Sequence, residues 1–209
     1  MVLFKKKKPI EYIVYSAIIV FGILIDQLTK FLVYKNMELS QSIPLIKDFL
    51  HLTYTTNDGI AFGMMDGPDQ RWIFLLVSSV SIIAFMVYLY LGHADNMLYG
   101  VAIAMVVSGG IGNMIDRLGF GFYVNPKTGL GEVIDFIDFR GIWQAVFNGA
   151  DSFVCVGAGL LILALVLDLV KEYKAEKEKK NAENSVQNKE SATEEDKADG
   201  DKADGEAEK

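Results

Sequence analysis

The chain has 209 residues, a formal net charge of −7, 51% hydrophobic residues and a mean hydropathy of +0.26. That length suits one ordinary domain, yet the apolar residues pool in four blocks and the last 39 residues hold almost none. This distribution implies an α-helical integral membrane protein with a polar tail and excludes a plain soluble domain. The tail from Lys171 onward carries 9 Lys against 13 acidic residues, and residues 1–170 carry 11 basic against 14 acidic, so no basic stripe is left for nucleic acid. A single cysteine, Cys155, rules out an internal disulfide and a Cys-based metal cluster. His51 and His93 lack HExxH-like spacing and lie near no nucleophile elbow, so neither a metal, another cofactor nor a Ser–His triad is expected.

A membrane-spanning helix needs roughly 20 apolar residues. The first candidate covers about residues 10–33 and follows a basic stretch, residues 1–9, with Lys5, Lys6, Lys7 and Lys8. Asp26 and Lys30 interrupt its far end, and no small-x-small site follows, so it is not a cleavable signal peptide. Residues 35–71 come next, with a strand-like run, FLHLTYTT (49–56), that ends in a turn signal at Asn57-Asp58-Gly59. The second and third spans cover about residues 72–91 and 97–115, the third being weaker and rich in small residues. Residues 118–147 hold a Gly-rich stretch and then EVIDFIDF (132–139), where apolar and acidic residues alternate as in a strand. The fourth span covers about residues 150–170, and residues 171–209 read as a charged, disordered cytoplasmic tail with a tandem DKADG repeat.

Basic residues flank both the first and the fourth span, which places both termini in the cytoplasm. The two longer segments then form a small β-rich cradle on the outer face, and residues 10–170 make up one membrane domain.

Ionisable groups in spanning segments cost roughly 2.5–3.5 kcal/mol each, so they pair or work. Asp26 and Lys30 are four apart and share a helix face, as a neutralising pair or as support for a site. Asn57 and Gly59 form a turn, or else an amide that meets a substrate backbone beside a glycine that lets it approach. Gly109, Gly110 and Gly112 permit close helix packing. Asn113, Asp116 and Arg117 share a face there, either as a polar clasp in which Arg117 neutralises Asp116 or as part of a cleft.

Asp151 stands at the start of the fourth span, where an N-cap is the simplest role. Asp135 alone could be a solvated loop acid. Brought together, two carboxylates share one proton and activate water against a peptide carbonyl with no metal, as in aspartic proteases. The candidate pairs rank Asp135/Asp151, then Asp116/Asp151, then Asp138/Asp151.

At five motifs, DQLTK (26–30), NDGIAFG (57–63), GNMIDR (112–117), VIDFID (133–138) and FNGAD (147–151), the chain resembles lipoprotein signal peptidase, or signal peptidase II. The resemblance covers essentially residues 10–170. It implies four transmembrane helices, an outer β-cradle and a catalytic aspartate pair that falls on Asp135 and Asp151. It further implies that Asn57, Asn113, Arg117 and Asn148 line the cleft, that Asp26, Lys30 and Asp116 form a supporting cluster, and that Gly59 and Gly112 are close-approach positions. The implied substrates are prolipoproteins cut before a diacylglyceryl-modified Cys. Bound membrane lipid, a monomer, an active site near the outer leaflet of the bacterial cell membrane and sensitivity to globomycin complete the expectation. Phe62 and Trp143 are candidates for closing over the lipid. Residues 118–134 are longer than the pattern requires, and the acidic tail is an addition to it. The rival class is a non-enzymatic transporter subunit or assembly factor that uses the outer polar cluster for ions or lipid.

Overall fold

The computed structural model describes residues 8–58, 68–91 and 96–204. Gly59, Phe62 and His93 lie outside the described residues. Two units are resolved along the chain, Met1–Ile162 and Leu163–Lys209.

In the first unit, α1 (Pro9–Asn36) is started by a proline at its first position, where a missing N–H is harmless. Its buried residues, Tyr15, Ile19, Gly22, Asp26, Lys30 and Val33, recur at intervals of three and four and so make one stripe. Off that stripe, Phe21, Leu24 and Leu28 are exposed. Such outward apolar surface suits lipid rather than water.

The β-rich segments fold into one antiparallel sheet in the order β1 (Ser42–Ile46), β2 (Leu50–Asn57), β3 (Val133–Phe139), β4 (Val146–Phe147). The strand-like runs at 49–56 and 132–139 thus become β2 and β3, paired with Thr55 opposite Asp135 and His51 opposite Asp138. A register shift between Leu52 and Thr55 re-aims the end of β2. The sheet packs on the C-terminal end of α1 through Val33, Tyr54, Ile134 and Phe136. Burial beside Tyr123 and Tyr34 pushes the Tyr54 hydroxyl up to about 12.

α2 (Pro68–Tyr90) is apolar from Leu75 to Tyr90. α3 (Met97–Arg117) is capped by Asn96, whose side chain accepts from the Leu98 N–H at 3.0 Å. Its small residues let the helices approach closely. Gly100 lies under the Tyr15 ring, Gly109 against the Ala150 carbonyl, and a Cβ at Gly112 would stand 2.6 Å from Asp26 Oδ2. The inner core joins Tyr15 and Ile19 of α1, Leu89 of α2 and Ile103, Ala104 and Val107 of α3. Residues 118–134 are a folded excursion. Val124 bridges Gly131, and Phe122 packs on Phe31 at 5.3 Å between ring centroids.

The last helix, α4 (Gly149–Asp204), begins in the first unit and makes up most of the second. Among the described residues three helices are long and apolar enough to cross a membrane: Pro9–Asn36, Met97–Arg117 and Gly149–Asn181. α4 is helical as far as Asp204. The physical reason is composition: Ala, Glu and Lys are strong helix formers, and i,i+4 pairs such as Lys180–Glu176 at 2.7 Å reinforce them.

Candidate active site

The polar residues singled out along the chain converge where the C-terminal ends of α1 and α3, the strands β2 and β3 and the first turn of α4 meet. At the centre of the deeper half is Lys30, fully buried on α1. Its ammonium donates to Asp26 Oδ2 at 2.7 Å and Asn113 Oδ1 at 3.0 Å, and pairs with Asp116 Oδ2 at 2.7 Å. The ammonium thus donates two hydrogen bonds and forms two ion pairs, the compensation that a buried charge requires. Asp116 therefore pairs with Lys30 on the neighbouring helix.

Asp26 has a second function in the packing. Its other oxygen, Oδ1, accepts the Ala150 N–H at 2.8 Å, one of the free donors at the start of α4. The N-cap of α4 is Asn148 rather than Asp151, another correction. Asn148 Oδ1 accepts the Asp151 N–H at 2.9 Å, and Asp151 Oδ2 accepts the Asn148 N–H at 3.2 Å. This reciprocal pair is a capping box with an acid three residues after the cap. It holds the Asp151 carboxylate back over the helix start.

Asn148 is also the bridge to the sheet. Its Nδ2 donates to Asp135 Oδ1 at 2.6 Å and to Asn113 Oδ1 at 3.0 Å. Asn57 Nδ2, at the end of β2, donates to Asp135 Oδ2 at 3.1 Å, and Asn113 Nδ2 donates to Asp151 Oδ1 at 2.8 Å. Each carboxylate oxygen of Asp135 and Asp151 thus accepts one N–H. Asp135 is buried, and burial together with the charge of Asp151 pushes its carboxyl from 3.8 up to about 6. Donors from Asn57 and Asn148 and the charge of Lys30 oppose that shift. Two neighbouring carboxyls whose ionisations are driven apart can act as a paired acid and base.

The rival acids stand elsewhere. Asp116 belongs to the Lys30 cluster. Asp138 is three residues along β3 from Asp135, so it faces the other side of the strand. There it accepts from Thr53 Oγ1 at 2.8 Å and Arg140 Nε at 3.1 Å. Arg117 and Asn113 line a largely apolar groove of about 280 Å³ between α2 and α3, with Ser78, Ser81, Phe85 and Met114. Trp143 is 55% exposed, with its ring centroid 6.3 Å from that of Phe147. Cys155 is an exposed free thiol on α4. Among the described residues no group of three or more His, Cys, Asp or Glu could hold a metal ion.

Sequence reasoning missed Gln27, whose Nε2 donates to the Gly112 carbonyl at 3.2 Å and to Asp116 Oδ1 at 3.3 Å. The signal was available: Gln27 is an amide in an apolar helix, next to Asp26. It also missed Ser78 and Ser81, hydroxyls within the apolar run of α2.

Comparison with known proteins agrees with this geometry. The family described as signal peptidase (SPase) II matches residues 18–167. A lipoprotein signal peptidase of Halothermothrix orenii is 41% identical over 148 residues, which is 71% of this chain and 92% of that protein. One from Halalkalibacterium halodurans is 37% identical over 168 residues, covering 79% and 98%. A solved bacterial membrane enzyme, determined by the in meso method at 2.3 Å, superposes with a TM-score of 0.61 at 32% identity, covering 75% of this chain and 89% of that one. A family match over residues 18–167 and relatives alike along nearly their whole length lead to one conclusion: the chain belongs to the signal peptidase II family.

Proposed function

We propose that Asp135 and Asp151 are the catalytic dyad of a membrane aspartic endopeptidase that removes signal peptides from prolipoproteins, cutting just before the diacylglyceryl-modified Cys. The observation that carries the assignment is the double bridge at Asn148, which ties Asp151 through the capping box and Asp135 through Nδ2. Asp135, with its carboxyl pushed up to about 6, holds the shared proton, and ionised Asp151 is the base. As water adds to the scissile carbonyl, Asp151 takes a proton from the water while Asp135 gives its own to the carbonyl oxygen. On collapse, Asp151 passes that proton to the leaving amine and Asp135 recovers one from the diol.

The location follows from peptide chemistry. A bond inside a helix is hydrogen-bonded and shielded, so cleavage needs local unwinding and water, both found at the membrane boundary and not at its centre. The α2–α3 groove, apolar with Arg117 in its lining, suits a peptide that enters from lipid. Arg117, Asn57 and Gly59, two residues after Asn57, hold the substrate backbone. α2 completes the set of four spans, both termini are cytoplasmic, and the monomer acts near the outer leaflet with its lipid-modified substrate and surrounding lipids as the only partners required. The transporter alternative is not favoured, because the acids gather at one end of the bundle instead of threading its depth.

The test uses the full chain in nanodiscs with a synthetic prolipoprotein, offered with and without the diacylglyceryl group. Cleavage is expected only before the lipidated Cys, blocked by globomycin, and reduced by roughly 10³-fold or more in Asp135→Asn and in Asp151→Asn. Full activity in either variant would remove that residue from the dyad.

A further inference from the structure

The Lys30 ammonium can only donate, so the atom of Asn113 that faces it at 3.0 Å is the carbonyl oxygen. The same oxygen accepts Asn148 Nδ2 at 3.0 Å. Two consequences follow without further choice. The Asn113 amide nitrogen must turn the other way, and there it donates to Asp151 Oδ1 at 2.8 Å. Asn148 must likewise present nitrogen to Asp135, at 2.6 Å, and oxygen to the Asp151 backbone N–H, at 2.9 Å. Were Asn113 reversed, its oxygen would face the Asp151 carboxylate and its N–H groups would face the ammonium.

We infer that Lys30 is a positioning residue for the reaction, which locks the orientation of the Asn113 and Asn148 amides so that both carboxylates of the dyad meet N–H donors. This deepens the dyad assignment above and rests on it. It also gives Asn113 a role other than the substrate contact that the resemblance implies, since both its polar atoms are committed inside the protein.

The arrangement predicts a particular electrostatic result. Hydrogen bonds to an ionised carboxylate favour that form, so a locked amide pair lowers both ionisations of the dyad. Among the described residues, other charged groups near it have partners of their own. Asp26 and Asp116 bind Lys30, and Arg117 lines the α2–α3 groove. Glu132 accepts from Asn125 at 2.6 Å, and Asp138 accepts from Thr53 and Arg140. Lys30 is the cation that acts on Asp135 directly.

The decisive variant is Lys30→Met with Asp116→Asn. It keeps the formal charge of the buried cluster unchanged, because one cation and one anion leave together, and it removes the donor to Asn113 along with the donor to Asp26 Oδ2. Expected is a fall in kcat with KM little changed, with both limbs of the bell-shaped pH profile moved up by about one unit. A profile at wild-type pH, or a loss confined to KM, would overturn the inference and return Asn113 to the substrate. Asn113→Asp is a second, independent reading should the double variant fail to accumulate. Its carboxylate keeps both acceptor bonds but turns oxygen instead of N–H onto Asp151, so the limbs must again move up; unshifted limbs overturn the inference. Asp135→Asn, measured alongside, tests the dyad itself, and wild-type activity there sinks the dyad while leaving the amide lock a structural statement.

Discussion

Asp135 is expected to make the protein less stable at neutral pH, and Asp135→Asn should relieve that cost while destroying activity. The carboxyl is 2% exposed and its ionisation is pushed from 3.8 to about 6, chiefly by burial and next by Asp151. Because the folded value is the higher one, this stability is fully present below the unfolded value and is lost as pH rises through about 6. The shift of about two units corresponds to about 3 kcal/mol at 1.36 kcal/mol per unit. The substitution brings an opposing cost. Asp135 accepts at both oxygens, from Asn148 and from Asn57, and an asparagine can accept at only one, so one donor is left facing an N–H. That costs about 1 kcal/mol and does not vary with pH. The wild type should therefore lose thermal stability relative to Asp135→Asn between pH 4 and pH 8, with a gap of about 2 to 3 kcal/mol opening as pH rises. Melting curves of both proteins in one detergent at a series of pH values measure it, the variant serving as reference for the titrating groups that do not interact with Asp135. Parallel melting temperatures across that range would refute the claim that burial holds this carboxyl high.

The same ionisation governs catalysis: kcat/KM should fall as pH rises through about 6, when the shared proton is lost, and a flat profile from pH 5 to 8 would contradict it. Lys30→Met alone strands Asp26 and Asp116 as buried anions and should destabilise the protein by about 3–5 kcal/mol, read by thermal unfolding and by yield from membranes. Gly112→Ala places a Cβ 2.6 Å from Asp26 Oδ2 and 3.3 Å from the Ala150 Cβ, so it should cost about 1–3 kcal/mol in the same melting assay. Asn148→Ala removes the cap of α4 and the bridge together; about 0.5–2 kcal/mol of stability should go, with a larger proportional loss of cleavage.

Much of the architecture is written in local pattern. The helices α1, α3 and α4 follow from apolar blocks whose length alone matches a bilayer, and β2 and β3 from short alternating runs, because period and composition act within a few residues of the chain. The residues that meet at the candidate site were also visible, since an ionisable or amide group in an apolar block stands out against its neighbours. In the tail two local signals point different ways: the lack of apolar residues argues for disorder, while the Ala, Glu and Lys content favours the helix that runs to Asp204.

Partnership is what the amino-acid order left open and tertiary structure decided. Asp116 has Arg117 beside it in sequence, yet its counter-ion is Lys30 on another helix, brought near by the glycine contact at Gly112. Asp151 sits where an N-cap was expected, but the cap is Asn148. Asp135 and Asp138 are alike in composition and neighbourhood, and only the pairing of β3 with β2 turns one toward Asn148 and the other toward Thr53. Side chains far apart along the chain interact through distances and angles that no local spacing encodes, so their pairing is set when helices and sheet pack. Which of several similar acids is buried beside another is a property of that packing alone.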